Sequence, residues 1–461
     1  MMGRRQFVSG SLASIGAGCT VGPEIVPPTM QLTDQYYNTR PASSSVTLAD
    51  ARWWDAFKDP TLNEIVVTGL NQNLDIRKAV ARIKQAEGLT AAAGYPISGA
   101  VRIGEGKISG DSAVGATQAT GFARAEASWR LDLFGELENE KRAGRANLDS
   151  AYEDADVWRL ILISDVISAY IDLRYAQELV RITKRVNETR RATLHEAQKL
   201  VETGVADEIA AAQAQSLLAT SRASMPELQI LFIHNLNRIM ALLGVTELNA
   251  QRKFDTRAPQ PIPRTTIVQT GVPADLVRNR PDIRRAEKRL ESALATAGAT
   301  EAELYPGLVL TGNIVLNASS TSQTVNAGFF RIGLDLPIFD RPVRKGRVRS
   351  ALGIAEERRA DWEKEVVLSV EEVRNAMFAM QHHQRAIKQA SIALDAARDV
   401  LEIARREFAA GNMDFFQVQD AERSFLFSEN ALALDRRNLA LDFVSLNVAL
   451  GGTYSQRKTG S

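Results

Sequence analysis

The chain has 461 residues, 45% of them apolar and 24% charged, enough to bury sizeable cores. Lys and Arg number 56 against 55 Asp and Glu, for a formal charge of +1, so the concentrated basic excess of a nucleic-acid binder is missing. No apolar run of about 18 or more residues follows the N-terminus, which excludes a helical membrane span but not a barrel, whose strands merely alternate.

In chain order, Arg4 and Arg5 precede a small, apolar stretch from Phe7 to Gly18, the pattern of an export signal over residues 1–18. Arg4-Arg5-Gln6-Phe7 also resembles a twin-arginine motif. Cys19 is the only cysteine, so it has no internal disulfide partner. It follows Ile15-Gly16-Ala17-Gly18, which resembles a bacterial lipobox with Gly16 in place of the usual Leu. Cleavage there leaves a lipid on Cys19; the plain alternative is an unused thiol. Residues 19–58 form the segment that follows.

The remainder reads as a duplication, residues 59–245 and 273–450, joined by a linker at 246–272 and closed by a tail at 451–461. Leu74–Ala79 (LDIRKA) matches Pro281–Ala286 (PDIRRA) at an offset of 207. Leu131–Gly135 (LDLFG) matches Leu336–Asp340 (LPIFD) at 205, and Thr203–Ala214 matches Ala410–Ala421 at 207. The stripe Ile163, Val166, Tyr170, Leu173, Gln177, Val180 has the 3-4 spacing of a coiled coil. It recurs as Val370, Val373, Met377, Met380, Gln384, Ile387. Each half therefore predicts a helix, two strands, a very long helix, a turn and a further helix. No proline falls between Pro96 and Pro226 or after Pro342, so the long helices run uninterrupted. A helix from Gly135 to Glu202 would rise roughly 100 Å.

Four strands are predicted, about 97–108, 122–133, 307–317 and 328–338. In the second, Ala123, Ala125, Ala127, Trp129, Leu131 and Leu133 alternate with Arg124, Glu126, Ser128, Arg130 and Asp132. Ribbons with one apolar and one polar face suit the wall of an outer-membrane barrel, but four strands cannot close one around a lumen. Open edges are not tolerated in lipid, so copies from other subunits must complete the wall. A small soluble sheet with one wet face is the alternative. The loops Gly110–Gly121 and Asn317–Gly328 are rich in Gly, Ser, Thr and Ala.

Trp53–Val66 (WWDAFKDPTLNEIV), Ala127–Glu138 (ASWRLDLFGELE), Leu276–Glu287 (LVRNRPDIRRAE), Leu334–Gly346 (LDLPIFDRPVRKG) and Leu446–Tyr454 (LNVALGGTY) together resemble TolC-like outer-membrane efflux proteins of the NodT-type lipoprotein branch. The resemblance implies a mainly α fold: a long α-helical coiled-coil barrel, with four strands per protomer in a shared twelve-stranded barrel of a homotrimer. Val46–Phe57, Thr246–Gly271 and the tail would supply an equatorial belt. It also implies an outer-membrane, lipid-anchored duct extending into the periplasm, with a periplasmic adaptor (membrane fusion protein) and an inner-membrane transporter of resistance-nodulation-division type as partners.

By the same resemblance, the turns at Gly204 and Gly411 dock the adaptor, and Gln417 and Asp420 sit at the periplasmic gate. Three Asp420 side chains would then form an acidic ring. Gln417 departs from the acidic residue the family carries. Asp207 and Asp414, three residues after each glycine, are placed as helix N-caps. No cofactor beyond the lipid and no metal site is expected. GxxxxGKS/T, GxSxG and HExxH are all absent. His382 and His383 are adjacent on a helix and read as surface groups. The competing functions are a type I protein-secretion duct, a soluble periplasmic coiled-coil scaffold and a periplasmic enzyme.

Overall fold

Prolines, caps and glycine turns set the element boundaries. The computed structural model describes residues 20–24, 28–30, 52–109, 117–205, 207–246, 254, 258–263, 279–319 and 326–452. The leader, Cys19, Val46–Ala51, most of Thr246–Gly271 and the end of the tail lie outside them. α1 (Pro60–Gln72) opens with proline at its first position, where no N–H is needed. The Asp59 carboxylate caps it, accepting from the N–H of Thr61 and Leu62 at 2.9 and 3.1 Å. α2 (Leu74–Ala92), β1 (Ile97–Ser109), β2 (Thr117–Leu131), α3 (Glu136–Glu202) and α4 (Glu208–Leu243) complete the first half. The second half has the same order: α5 (Pro281–Ala302), β3 (Gly307–Ser319), β4 (Asn326–Asp335), α6 (Arg341–Ala409) and α7 (Phe415–Ala449).

At 67 and 69 residues, α3 and α6 are several times longer than the globular mean of about 11. Pro226 lies inside α4, near the middle of the helix. It sits on an exposed turn, where water can take the carbonyl of Arg222 that its missing N–H leaves unbonded. The strands are also displaced from their expected bounds. β2 begins at Thr117, so the loop before it is shorter than read, and β2 and β4 end at Leu131 and Asp335. The chain turns at these ends: Leu133 N–H donates to Leu131 O and Ile338 N–H to Leu336 O, at 3.1 and 2.9 Å.

Two compact units emerge, each drawing on both halves of the chain. The first takes the described residues within Met1–Met30, Ala81–Glu153 and Ile283–Glu365. Its antiparallel sheet has the order β1-β2-β3-β4. The register sets Ile97 against Trp129, Trp129 against Leu310, and Leu310 against Ile332. The next row on that face joins Gly99, Ala127, Gly312 and Phe330, and the next Val101, Ala125, Ile314 and Gly328. One face is thus apolar across all four strands. The other carries Arg102, Arg124, Glu126 and Arg331, with Arg102 and Glu126 paired at 3.1 Å. Below the sheet, Thr90 on α2 donates to the Gly144 carbonyl of α3 (2.9 Å), and Arg284 on α5 bridges to Glu153 of α3 (2.8 Å). The starts of α3 and α6 differ in charge: Glu136, Glu138 and Glu140 open one, Arg341, Arg344 and Lys345 the other. Burial, the largest influence, raises the Glu136 carboxyl above its ordinary range against the opposing pull of Arg130.

Thr20–Gly22 is fixed against this unit. Val21 N–H donates to Phe134 O and the buried Asn139 amide donates to Val21 O, both at 3.0 Å. Gly22 passes so close to Gly298 that an added Cβ would stand 2.6 Å from its Cα, so only glycine fits.

The second unit takes the described residues within Gln31–Val80, Asp154–Asp282 and Val366–Ser461. The predicted stripes meet in its core, where Ile163, Val166, Tyr170 and Leu173 pack with Val373 and Met380. The 3₁₀ turn Trp53–Phe57 seals it with edge-on ring contacts from Trp53 and Phe57 to Phe443, at 6.1 and 5.4 Å between centroids. The Tyr170 hydroxyl donates to Asp59 (2.6 Å) and accepts from the Nε of the buried Arg174 (3.0 Å). Arg174 also reaches Gln177, whose amide donates to the Phe254 carbonyl at 2.7 Å. Burial, and then the bond to Asp59, push the Tyr170 phenol far above its ordinary value, so it stays a neutral donor. Tyr170→Phe removes a donor to a carboxylate and an acceptor from a guanidinium. It should cost about 1.5–3 kcal/mol, read as a lower apparent thermal midpoint than the parent's in the same detergent.

Candidate functional site

The candidate site is the end of the second unit where α3 turns into α4 and α6 into α7. Ala197, Ala210, Ala214, Leu401, Ala404, Phe408, Phe415 and Val418 form a small core of their own there. Alanines let the helices approach, and Phe408 and Phe415 fill the middle with ring centroids 5.5 Å apart.

Both turns are built alike. Gly204 and Gly411 adopt left-handed φ values of 70° and 75°. At the first, Gly204 N–H donates to Val201 O (3.0 Å) and Val205 N–H to Leu200 O (2.8 Å). At the second, Gly411 N–H donates to Phe408 O and Asn412 N–H to Glu407 O, both at 2.9 Å. This is the Schellman closure, which satisfies helix-end carbonyls and requires a residue tolerant of positive φ. The two turns adjoin, since a Cβ on Gly411 would lie 3.7 Å from Val205 Cγ1. Between them is a cleft lined by Leu200, Val205, Ile209, Gly411, Met413 and Phe416. Val205, Ile209 and Phe416 are exposed, and so are the carboxylates Asp207 and Asp414.

The two aspartates differ. Asp414 caps α7, accepting from Phe416 N–H at 3.1 Å. Asp207 holds the N-cap position of α4 with extended backbone, but its side chain makes no cap bond, contrary to the sequence expectation. The turn there closes on the backbone bond from Ala210 N–H to Asp207 O (3.0 Å), and water solvates the exposed carboxylate at no cost.

Gln417 and Asp420 share the exposed face of α7 with Phe416, Arg423 and Phe427. Asp420 is not an isolated acid, for it pairs with Arg423 one turn along the same helix. Both partners are well exposed, so water screens the pair and adds little stability, but the face is locally zwitterionic.

Behind it runs a ladder of ion pairs from α3 to α7 that sequence reading missed. Buried Glu422 accepts from Arg190 at 2.6 Å, and Arg190 also donates to the Leu217 carbonyl of α4 at 2.9 Å. Glu429, also buried, meets Arg185 and, at 3.4 Å, Arg181. Arg437 reaches Asp172 at 2.6 Å. Glu422 and Glu429 are two helical turns apart on the face that carries Val418 and Ala433, and carboxylates inside an apolar stripe were the available signal. His383, read as a surface group, is half-buried; its Nδ1 lies 2.5 Å from Asp442, and burial raises that carboxyl. His382 is exposed.

The family model for outer membrane efflux proteins matches residues 66–245 and again 272–452. This chain belongs to the outer membrane efflux protein family. It is an outer-membrane efflux channel with the TolC-like fold. The second matched block is displaced from the first by 206 residues at its start (272 against 66) and 207 at its end (452 against 245), the offset of the internal repeat. Nodulation protein T of Rhizobium leguminosarum bv. viciae is 30% identical over 96% of this chain and 93% of its own length. Pyoverdine export outer membrane protein OpmQ of Pseudomonas putida is 26% identical over 93% of this chain and 94% of its own. The solved structure of the outer-membrane channel OprN is 29% identical and superposes with a TM-score of 0.83, covering 94% of this chain and 99% of that one. The family is one of outer membrane efflux proteins, OpmQ is an export protein and OprN an outer-membrane channel.

In this family member the glycine turns are open to a direct test. No atom stands within 4 Å of a Cβ built on Gly204, so the penalty of substitution there is conformational rather than steric. Gly204→Ala and Gly411→Ala should each cost about 1–2 kcal/mol, seen as a lowered apparent thermal midpoint. Asparagine at either position, which tolerates left-handed backbone, should recover a good part of the loss.

Proposed function

We propose that three copies of this chain form the outer-membrane exit duct of a tripartite efflux assembly. A periplasmic adaptor docks on the paired turns, and an inner-membrane transporter of resistance-nodulation-division type supplies the energy. The observation that carries the reading is the sheet: one face is apolar across all four strands over the rows from Ile97 to Val101, and among the described residues no strand covers the outer edge of β1 or of β4. In water that face would be a large exposed apolar patch, which speaks against a soluble scaffold; in lipid it is the required surface. The name of the Pseudomonas putida relative supports a small-molecule cargo over a secreted protein.

Exposed apolar Val205, Ile209 and Phe416 beside Gly204 and Gly411 support the docking role, since they offer a helical partner apolar contact around fixed turns. The adaptor can favour the open duct only by binding it more tightly than the closed one. The duct itself passes cargo without chemistry. Asp420 and Gln417 are assigned to its narrow end, with Arg423 moderating the acid there. Purified protein in planar bilayers should conduct, and Arg423→Ala, which frees Asp420 from its partner, should move the reversal potential towards cation preference. Asp420→Ala should move it the other way and raise conductance. Unchanged values in both variants would remove this face from the conduction path.

Cys19 is proposed to carry the lipid, with Thr20–Gly22, clamped by Asn139 and Gly298, holding the start of the mature chain against the first unit. Cys19→Ser should abolish labelled-palmitate incorporation. The variant should still fractionate with outer membranes, because the sheet offers far more apolar area than an acyl chain. Loss from the membrane fraction would show that the lipid, not the sheet, provides the attachment.

A further inference from the structure

The face of the sheet opposite the apolar rows carries a surplus of arginine. Among the described residues of the four strands, its charged members are Arg102, Arg124, Glu126, Arg130, Arg331 and Asp335. Arg130 is held at the end of β2 by Glu136 and Glu140, at 3.0 and 3.5 Å, and Asp335 is held by Arg344 at 3.2 Å. Glu126 is taken by Arg102. Arg124 and Arg331 are exposed and meet no carboxylate among the described residues.

Alternation alone asks only for polar residues there, and a mixture of signs would serve. Instead, Arg102 and Arg124 stand directly opposite each other on β1 and β2, where like charges weaken a ladder. Glu126, two residues along β2, relieves Arg102 and leaves Arg124 unpaired. The duplication tips the balance further. At the 205-residue offset that relates Leu131 to Leu336, Glu126 corresponds to Arg331, so the second half carries a base where the first carries an acid. The Arg331 guanidinium lies over the Phe329 ring, 5.3 Å from its centroid, which keeps it on the face. Its neighbour across the ladder is Thr311, and that row continues through Ser128 to Ser98. A guanidinium beside a row of hydroxyls is a set of donors suited to an oxyanion. The loop sequences 110–116 and 320–325 hold a single acid, Asp111, and so offer little to offset the surplus.

We propose that this face lines the membrane-spanning stretch of the duct as a guanidinium belt, and that the belt selects organic anions as cargo: small molecules bearing carboxylate, sulfonate or phosphate groups. The proposal rests on the exit-duct reading above and names its class of substrate. Each copy adds four arginines and two acids to the belt, so the surplus accumulates around the lumen. Walls of sheet and lipid have a low dielectric constant, which focuses the field into the water between them and raises the local concentration of counter-ions. Guanidinium groups stay charged at every physiological pH and present a planar fork that fits an oxyanion at two points. Arg124 and Arg331 are exposed, so each holds an anion loosely and several share it in turn. Conduction needs that balance, because a site must attract an ion and still release it.

The test uses the purified full-length protein in planar bilayers of neutral lipid, with hexacyanoferrate(II), a tetravalent anion, added to both compartments. The parent's current should fall as the anion occupies the belt, and the block should weaken as potassium chloride is raised. Arg124→Gln combined with Arg331→Gln should raise the half-blocking concentration about tenfold and lower the chloride-to-potassium permeability ratio. Arg124→Lys combined with Arg331→Lys should restore most of both, because the charge returns. Every variant keeps Asp420 and Arg423, so their effect on ion preference is common to all. A conducting parent that the anion does not block, or equal block and equal permeability ratio in parent and glutamine variant, would overturn the belt and leave the duct standing. A lysine variant no better than the glutamine one would overturn selection by charge. Protein that inserts without conducting would end the exit-duct reading and this one with it.

Discussion

A four-stranded sheet with both edges open cannot stay by itself in a hydrocarbon layer. Each open edge presents N–H and C=O groups that lipid cannot bond, at a cost of several kcal/mol per group. The rest of the molecule can be understood as meeting that demand. The apolar rows from Ile97 to Ile332 fix which face meets lipid, and period-two alternation sends Arg102, Arg124 and Glu126 to the other side. Strand order among the described residues pairs β2 and β3 on both sides and leaves one edge of β1 and one of β4 open. Such a sheet has to be completed by further strands, and the long helices in turn need one fixed alignment.

The helical part achieves this by combining a packed core with buried charge. Apolar contact among Ile163, Val166, Val373 and Val444 accounts for adhesion but fits several sliding registers of long helices about equally well. The Arg190–Glu422 and Arg185–Glu429 pairs add little net energy over apolar residues of like size, but a slide of one turn would leave buried charges without partners. Tyr170, held between Asp59 and Arg174, does the same at the level of the 3₁₀ turn. Side chains that contribute little to stability thus do much to choose a single alignment.

Much of this architecture was legible in the sequence because it depends on periodicity. The 3-4 stripes, the proline-free stretches and the alternation of Ala123–Leu133 each report a repeat that the fold must respect, and the duplication doubles every signal. Strand ends were read less well, since Leu133 and Ile338 keep the alternation after the ladder has ended. Pro226 shows that an exposed helical turn can carry a residue that breaks helices elsewhere. Of the candidate site, the glycine turns were visible because left-handed closures favour one residue type. The pairings were not: the sequence places Arg423 three residues from Asp420 but does not say that they meet, and Glu422 becomes notable only once its side of α7 is known to be inward.

The contrast between the starts of α3 and α6 constrains how copies can assemble. A gene duplication begins with two identical halves, and identical halves could lie beside one another in any order. Here the first half opens its long helix with Glu136, Glu138 and Glu140, and the second with Arg341, Arg344 and Lys345. In the trimer proposed above, the first turns of α3 would set carboxylates in one half of each chain and those of α6 guanidinium groups in the other, so a copy seated half a chain out of place would bring like charges together. In such an assembly the divergence of the two halves would turn a sixfold pattern into a threefold one, leaving each chain with an acidic and a basic long-helix start that are no longer interchangeable.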